Sequence, residues 1–179
     1  MARPAEFHLA LQDFDLRWLV KYQNPLVDLL ARNSSRIRSV LLPVQSGSER
    51  MLALMRRGHS AHEALDALIA LRAACPDMVL DTHVLIGFPG ETEEDFEDTL
   101  RFFRACRFDH VMCFNYEDRP KTAASSMQPK VPWRVIKRRG FRLERETEGL
   151  RRALEYYVTD WGLRFRAQGG PKGGRPKVL

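Results

Sequence analysis

The fold of this chain is decided by residues 78–116, which read MVLDTHVLIGFPGETEEDFEDTLRFFRACRFDHVMCFNY. The pattern predicts a strand at Met78–Ile86, a helix that begins at a capping box of Thr92 and Asp95, and a second strand at Phe108–Tyr116. Three apolar residues at helical spacing mark the buried face of the helix: Phe96, Leu100 and Phe103. A strand, a helix and a strand in this order predict a right-handed crossover between parallel strands.

The segment before it repeats this alternation. Ile37–Val44 reads IRSVLLPV and is predicted to be a strand covered on both faces, because its second half is continuously apolar. Ser48 is expected to cap a short helix that stops at Gly58. Ser60 and Glu63 form a capping box for the next helix. The middle of the chain therefore reads β-α-α-β-α-β, an α/β fold with a parallel sheet.

The flanking regions are assigned by their own patterns. Residues 1–34 form an N-terminal helical segment of the same core, and residues 35–130 form the core itself. Leucines at helical spacing over Asp15–Arg32 predict two short helices or one helix kinked at Pro25, with Asn24 as the N-cap of the second part.

The C-terminal part is basic. Residues 130–179 hold 14 Lys and Arg against 5 Asp and Glu, whereas the net charge of the whole chain is only +6. We expect a basic helical region over 131–167, with a weak point at Gly140, and a disordered basic tail over 168–179. The charge indicates a polyanionic partner such as RNA, or else a solvated helix face followed by a flexible tail.

Composition limits the class of protein. With 179 residues, 44% of them hydrophobic, the chain suffices for one domain with a sizeable core. No signal peptide and no apolar run of membrane-spanning length is visible, so we expect a cytoplasmic protein that does not contact membranes. The three cysteines, Cys75, Cys106 and Cys113, have no C-x-x-C spacing and are expected to be reduced and mostly buried. No residue is assigned as a metal ligand.

Three predicted strands end in polar or glycine-rich stretches. These stretches are Gln45–Ser48 (QSGS), Gly87–Thr92 (GFPGET) and Asn115–Arg119 (NYEDR). Ligands of parallel α/β sheets bind at the carboxyl ends of strands, and glycine allows close approach to the backbone. Each stretch alone is typical of a structural turn, but three at one edge of a sheet indicate a ligand site.

Three segments also carry a family resemblance: VLLPVQSGSERML at 40–52, THVLIGFPGETEEDFEDT at 82–99 and FDHVMCFNYEDRPKTAA at 108–124. In this order and spacing they resemble the second half of the core of radical S-adenosylmethionine enzymes, in particular the methylthiotransferases that modify tRNA or a ribosomal protein. The resemblance covers roughly residues 35–145. It implies a partial, half β/α barrel of the TIM-barrel kind, S-adenosylmethionine as cofactor and a [4Fe–4S] cluster.

The resemblance further implies which residues bind S-adenosylmethionine. Near its methionine or ribose part would lie Gln45, Ser46 and Ser48. Against the adenine, largely through their backbone, would lie Ile86, Gly87, Gly90 and Glu91. The pocket would be closed by Tyr116 and Arg119. Phe88 and Phe114 are expected to be core side chains. Glu91 has the alternative role of placing negative charge at a helix N-terminus, and Arg119 that of pairing with Asp118 or Glu117.

The chain departs from the family pattern at the cluster. Family members bind the cluster through C-x-x-x-C-x-x-C, and none of the three cysteines stands in such a motif. Lys121 and Glu117 also replace a glycine and a serine of the methylthiotransferase pattern. We therefore expect a truncated or split half of an enzyme, whose partner is the missing N-terminal half of the core on another chain. The catalytic residues stay unassigned.

Two functions follow from these features. The first is part of a radical enzyme for methylthio transfer or a related C–H modification of tRNA or protein, not competent alone. The alternative is a non-catalytic module that binds RNA or a partner through its basic C-terminal region, so whether the chain is an enzyme stays open. We also expect Ile37–Val44 to expose its backbone edge unless the helices of 15–32 cover it, with dimerisation, aggregation or marginal stability as the result.

Overall fold

A computed structural model describes residues 7–148, 154–159 and 162–167. The main sheet has four parallel strands in the order β1-β2-β3-β4, namely Leu9–Leu11, Ile37–Leu41, Val79–Ile86 and His110–Asn115. The helices are α1 (Leu16–Lys21), α2 (Gln23–Arg32), α3 (Glu49–Leu54), α4 (Ala61–Ala74), α5 (Glu93–Cys106), α6 (Ala123–Ser126) and α7 (Trp133–Glu148). The predicted α/β fold with a parallel sheet is confirmed.

The N-terminal segment contains a strand that the sequence pattern does not predict. β1 pairs in parallel with β2, with Leu9 opposite Ile37 and Leu11 opposite Val40. The expectation of a helical segment is therefore wrong at Leu9–Leu11, although α1 and α2 follow, and the expectation that the edge of β2 is exposed is also wrong. β1 becomes the outer strand instead, and Leu9 is 44% exposed. Three strand residues are enough to satisfy the backbone of a neighbour but too few to show a periodic pattern.

The helix ends follow local capping chemistry in most places. The capping boxes of α4 and α5 are both present, and the Ser48 side chain caps α3 by accepting from the backbone of Met51. The region 15–32 does divide into two helices, but the break falls at Tyr22, so Asn24 is not an N-cap. Pro25 stands in the first turn of α2, where its missing N–H removes no helical hydrogen bond.

The predicted stop of α3 at Gly58 is wrong. The helix ends at Leu54, and the chain turns at Arg56, whose φ of 55° lies in the left-handed region. The backbone N–H groups of Arg56 and Arg57 donate to Ala53 and Leu52, both at 3.0 Å. An arginine therefore occupies the turn position that glycine fills at lower cost.

The core lies between the sheet and a row of helices, α1, α2, α4, α5 and α7, on one of its faces. The other face of the sheet is open within the described residues, and Met112 and Phe114 on β4 are 52% and 44% exposed there. Phe88 is a core residue, as expected, but the same expectation for Phe114 is wrong. Phe114 belongs to an outer strand, where alternate side chains point away from the helices.

The C-terminal region is only partly helical. α7 passes through Gly140 without a break and ends at Glu148, and two antiparallel strands follow, β5 (Leu154–Thr159) and β6 (Gly162–Ala167). The expectation of a helical region up to residue 167 is therefore wrong. The segment LEYYVT has four aromatic or β-branched residues, which suit a strand, and GLRFRA pairs with it although it holds only one, Phe165. The predicted tail, 168–179, lies outside the described residues.

Among the helices that the structure describes, none combines the length and the apolar character needed to cross a membrane.

Candidate functional site

The three stretches singled out in the sequence meet at the carboxyl edge of the sheet. Ile86 at the end of β3 lies opposite Asn115 at the end of β4, and the Tyr116 N–H donates to the Ile86 carbonyl at 2.8 Å. On the other side of β3, Gln45 forms a bridge with Val84. Parallel pairing therefore places QSGS, GFPGET and NYEDR along one edge.

The backbone of Gln45 is held in a conformation that residues with a side chain rarely adopt. Its φ is 71°, in the left-handed region. Two backbone hydrogen bonds to β3 fix it, because its N–H donates to His83 at 2.8 Å and its carbonyl accepts from Leu85 at 2.9 Å. The β2 segment thus remains tied to β3 beyond Leu41, and the Gln45 side chain is presented at the edge.

The two serines of QSGS turn away from the edge and into the N-terminus of α5. The Ser46 hydroxyl lies 3.0 Å from the Thr99 hydroxyl, and the Ser48 hydroxyl donates to Asp95 at 2.7 Å. Both serines are buried. A Cβ on Gly47 would stand only 2.4 Å from that of Phe102, so glycine is needed for this close packing. The side chains of Ser46 and Ser48 therefore shape the loop from behind.

Asp95 is the centre of this buried network. Burial alone would raise its pKa, but hydrogen bonds from Arg50, Thr92 and Ser48 hold the pKa of Asp95 well below its ordinary value. A carboxylate that is ionised at neutral pH therefore links the QSGS loop to the start of α5.

The GFPGE turn is organised by Glu91. One oxygen of its carboxylate, Oε2, accepts from the Gly87 N–H at 2.9 Å and from Arg139 of α7 at 2.7 Å. The side chains of Glu91 and Arg139 are 1% and 4% exposed. Burial raises the pKa of Glu91, and the bonds from Gly87 and Arg139 only partly offset it. Glu91 therefore fixes the turn from within, and its side chain does not reach the edge.

Helix α7 also packs directly on this turn. Gly87 and Gly90 both have a φ of 83°, which glycine adopts without strain. A Cβ on Gly87 would stand 2.4 Å from the side chain of Ile136, whereas one on Gly90 would meet nothing within 4 Å. The Gly90 N–H donates to Pro129 at 2.8 Å. The N–H groups of both glycines are thus used internally.

A cavity of about 420 Å³ opens at this edge. Its lining comes from the strand ends (Gln45, Leu85, Phe88), from the end of α3 and the turn after it (Leu54, Met55, Arg56, Arg57) and from the α6 region (Ala123, Ala124, Met127). A lining of apolar residues together with Arg56 and Arg57 suits a ligand with an apolar or aromatic part and an anionic part.

The stretch after β4 borders the same edge. The Tyr116 ring packs edge-on against Phe88 at 5.5 Å between ring centres, and its hydroxyl donates to Asp118 at 2.6 Å. Burial and this bond raise the pKa of Tyr116 to about 12. Asp118 pairs with Lys130 at 2.6 Å. Within the described part of the chain, Arg119 forms no salt bridge with Asp118 or Glu117, the two partners expected from the sequence. Arg119 is exposed.

The comparison with protein families agrees with this geometry. The family model described as "Radical SAM superfamily" matches residues 10–103, which include β2, β3, most of β1 and the QSGS and GFPGET loops. The chain belongs to the radical SAM superfamily.

Curated relatives of this radical SAM chain share a common description. It is 41% identical over 122 residues to the tRNA-2-methylthio-N(6)-dimethylallyladenosine synthase of Thermobifida fusca, a match of 68% of this chain and 25% of that protein. The protein of the same name from Syntrophobacter fumaroxidans is 47% identical over 103 residues, 58% of this chain and 23% of its own. The chain thus spans about a quarter of the length of the relatives it matches.

A solved structure supports the fold. Coproporphyrinogen III oxidase from Escherichia coli, described as a radical SAM enzyme, matches with a TM-score of 0.60 over 80% of this chain and 38% of the other. Their sequences are only 17% identical, so this likeness concerns the fold alone.

The cysteines of this radical SAM chain do not fit a cluster site. Cys75 and Cys106 are buried at the ends of α4 and α5, where each chain segment enters the opposite, amino edge of the sheet. Burial raises the pKa of Cys106 and raises that of Cys113 to about 11, whereas cluster ligands are thiolates. Over the described residues, no three His, Cys, Asp or Glu side chains come together as metal ligands would.

Half of the six cations of α7 pair with acidic side chains of α5 and help to pack the two helices together. Arg138 and Arg139 pair with Glu93, each at 3.0 Å, and Arg142 pairs with Glu97. The sequence pattern shows the excess of positive charge but not the acidic helix beside it. Among the described α7 cations, Arg134, Lys137 and Arg145 have no carboxylate partner, and Lys137 lies 5.1 Å from the ring centre of the exposed Trp133.

Sequence reasoning missed three contributors to the site. Arg139 determines the GFPGE turn from 48 residues away, a distance that no local pattern reveals. Arg56 and Arg57 line the cavity because α3 ends before Gly58. The pair of arginines just before a glycine was the available signal, since a helix end there places them at the carboxyl edge.

Proposed function

We propose that this chain forms part of the S-adenosylmethionine pocket of a methylthiotransferase-like radical enzyme that modifies tRNA or protein. The observation that carries the proposal is the cavity at the carboxyl edge. Gln45 and Phe88 both line it, and both lie within the residues that the superfamily model matches. The names of the relatives support methylthio transfer to tRNA as the reaction. Cytoplasmic location remains a prediction.

The residues present suit S-adenosylmethionine. Leu85 and Phe88 offer an apolar surface for a purine, and Gln45 offers an amide for polar groups. Tyr116 packs edge-on against Phe88 and supports it from beside the cavity. The side chains of Ser46 and Ser48 bond to α5 and that of Glu91 bonds to α7, so these three residues hold the loops in place and do not contact the ligand themselves. Ile86, Gly87 and Gly90 set the path of the turn, and Arg119 is left exposed beside it.

When bound with a reduced [4Fe–4S] cluster, S-adenosylmethionine supplies a radical. The cysteines of this chain do not fit that cluster, so we propose that its ligands lie outside this sequence, in the other half of the core, and that the chain is not competent alone. Anaerobic treatment with iron and sulfide should then give the chain alone no [4Fe–4S] absorption. Appearance of that spectrum, with one cluster per chain, would contradict this part of the proposal.

A binding experiment tests the pocket directly. Ala124 lines the cavity, so Ala124→Trp should fill it and abolish binding of S-adenosylhomocysteine in isothermal titration. Ala105→Trp is the matched control, because Ala105 is exposed on α5 and does not line the cavity. Equal binding by both variants would place the ligand elsewhere. For the reaction, cells lacking the protein should lose methylthio-adenosines from digested tRNA, measured by mass spectrometry.

The alternative function is a module that binds RNA or a partner protein through the basic C-terminal region. Fewer cations of α7 are available for it than the sequence suggests, because Arg138, Arg139 and Arg142 pair with α5. Exposed Trp133 and Phe141 flank Lys137 on α7, and aromatic rings beside a cation suit unstacked bases. Loss of RNA binding in Lys137→Gln, with steep salt dependence in the wild type, would favour this function. Binding of S-adenosylhomocysteine separates the two functions, since only the first requires it.

A further inference from the structure

β4 is the last strand of the main sheet, and no described strand pairs with its outer edge. The Tyr116 N–H donates to Ile86 of β3, and the backbone groups of successive residues in a parallel strand point in alternate directions. The N–H and C=O groups of Val111, Cys113 and Asn115 therefore point away from β3. Natural edge strands are commonly short or carry charges that prevent pairing, whereas β4 is six residues long and reads HVMCFN, without Lys, Arg, Asp or Glu. This edge is thus open to a further strand.

A cavity of about 330 Å³ follows the open edge of β4. The three residues with outward backbone groups line it, together with Met112. Helix α7 contributes the rest of the lining: Lys137, Gly140, Phe141, Leu143, Glu144 and Thr147. We call this cavity the edge groove. It shares no lining residue with the cavity at the carboxyl edge, so what binds here is independent of the proposed function.

Gly140 determines the height of α7 along β4. A Cβ on Gly140 would stand 3.6 Å from Oδ1 of Asn115 and 3.9 Å from Sγ of Cys113, so the glycine lies level with Phe114, the residue between them. The helix begins against the GFPGE turn and ends beside the last turn of α5. α7 therefore runs from the carboxyl edge of the sheet to its amino edge, antiparallel to β4.

Two opposite charges of the edge groove stand at similar distances from this level. At a rise of 1.5 Å per residue, Lys137 lies about 4.5 Å toward the carboxyl edge and Glu144 about 6 Å toward the amino edge. Neither forms an ion pair with another described residue, unlike Arg138 and Arg142 of the same helix. A surface that carries a cation and an anion on either side of a centre is complementary to a second copy of itself, turned by 180° about that centre.

We infer that the open edge of β4 and the edge groove bind a second copy of this chain in a two-fold symmetric dimer. The axis passes beside Phe114, and the two β4 strands pair antiparallel. Cys113 of each copy then faces the partner's Asn115, and their outward backbone groups bond to each other. The partner's α7 runs in the opposite direction, which brings Lys137 opposite the partner's Glu144.

The same axis covers aromatic side chains that one copy alone exposes. Phe114 is 44% exposed on the open face of the sheet, and Phe141 is 68% exposed at the edge groove. At the axis the two Phe114 residues form a non-hydrogen-bonded pair, the position where antiparallel strands bring side chains closest. Phe141 stands one residue beyond Gly140, about 1.5 Å from the level of the axis, so it also meets its own counterpart. Aromatic pairs across strands and helices stabilise such contacts.

Sedimentation equilibrium of the full chain with charge-reversal variants tests the inference. Lys137→Glu and Glu144→Lys each turn two attractive contacts into repulsive ones, because the symmetry repeats every contact, and each should weaken the dimer by about tenfold. An equimolar mixture of the two variants should dimerise about as tightly as the wild type, since both contacts in the heterodimer again join opposite charges. Arg134→Glu is the matched control, because Arg134 is an exposed cation of α7 that does not line the edge groove. Circular dichroism establishes that each variant is folded.

Several results would overturn the inference. One is a wild type that remains monomeric through the micromolar range. Another is a mixture of the two variants that associates no more tightly than either variant alone, because only a contact between Lys137 and the partner's Glu144 predicts the recovery. Equal weakening by Arg134→Glu would show a general effect of charge instead. A monomeric wild type that binds a short RNA, with loss of that binding in Lys137→Glu, would assign this surface to the alternative function.

Discussion

The buried pair of Glu91 and Arg139 allows a sharp prediction for Arg139→Met. Methionine keeps the apolar contacts of the arginine stem but leaves the Glu91 carboxylate, 1% exposed, without its cation. Breaking a buried ion pair in this way costs about 3–5 kcal/mol. The second pairing of Arg139, with the half-exposed Glu93, adds little because water screens it.

The loss of stability in Arg139→Met depends on pH, because protonation of Glu91 removes the unpaired buried charge. Its folded pKa is raised above the ordinary value of 4.5, so its contribution to stability is fully present below pH 4.5 and is lost as pH rises through the folded pKa. Arg139→Met raises that pKa further. At about 1.4 kcal/mol per pH unit, the electrostatic loss is bounded near 3 kcal/mol at pH 7 and near 1 kcal/mol at pH 5.

Urea denaturation of wild type and variant at pH 5 and pH 7 measures this difference. The gap in unfolding free energy should be larger at pH 7 by roughly 2 kcal/mol. The double variant Glu91→Gln/Arg139→Met removes the buried charge and should lose that pH dependence. An equal gap at both pH values, or a double variant as pH-dependent as the single one, would refute the reasoning. A single variant that folds at pH 5 but not at pH 7 agrees with it.

Three further perturbations have defined outcomes. Gly87→Ala should lower the free energy of unfolding by about 2–4 kcal/mol, and Gly90→Ala by about 1 kcal/mol. Both variants place a side chain at a positive φ, but only the alanine at 87 would also collide with Ile136 of α7. Equal losses of stability in thermal melts would contradict this. Asp95→Asn should destabilise at pH 7, and the effect should shrink as pH falls below about 4, since the lowered pKa of Asp95 gives stability that is present above its ordinary value and lost in acid. Tyr116 should ionise near pH 12 in ultraviolet titration, and Asp118→Asn should bring it closer to 10; an unchanged midpoint would rule out this contact.

The parts of the fold that local chemistry determines could be predicted from sequence. The caps of α3, α4 and α5 depend on residues three apart, so Ser48, Ser60 and Thr92 could be recognised directly. The two glycine-containing loops at the carboxyl edge could be placed because parallel strands bring their ends together.

The parts that depend on distant partners could not. β1 is too short for a period and is defined by its register with β2. The aromatic residues of 154–167 fit a helix or a strand, and only the antiparallel pairing of β5 and β6 decides between them. Arg139 looks like one basic residue among many, and its role exists only through Glu91, 48 residues away.

That separation has a consequence for synthesis of the protein. The ribosome completes β2, β3 and the GFPGE turn well before α7, so the nascent chain holds an unbalanced Glu91 until residue 139 has emerged. Until then the free energy of the Glu91 carboxylate is lower when it is hydrated or protonated than when it is buried without a partner. Chain growth therefore sets the order of events: the sheet assembles first, and the turn at its carboxyl edge acquires its final shape only when the last helix arrives.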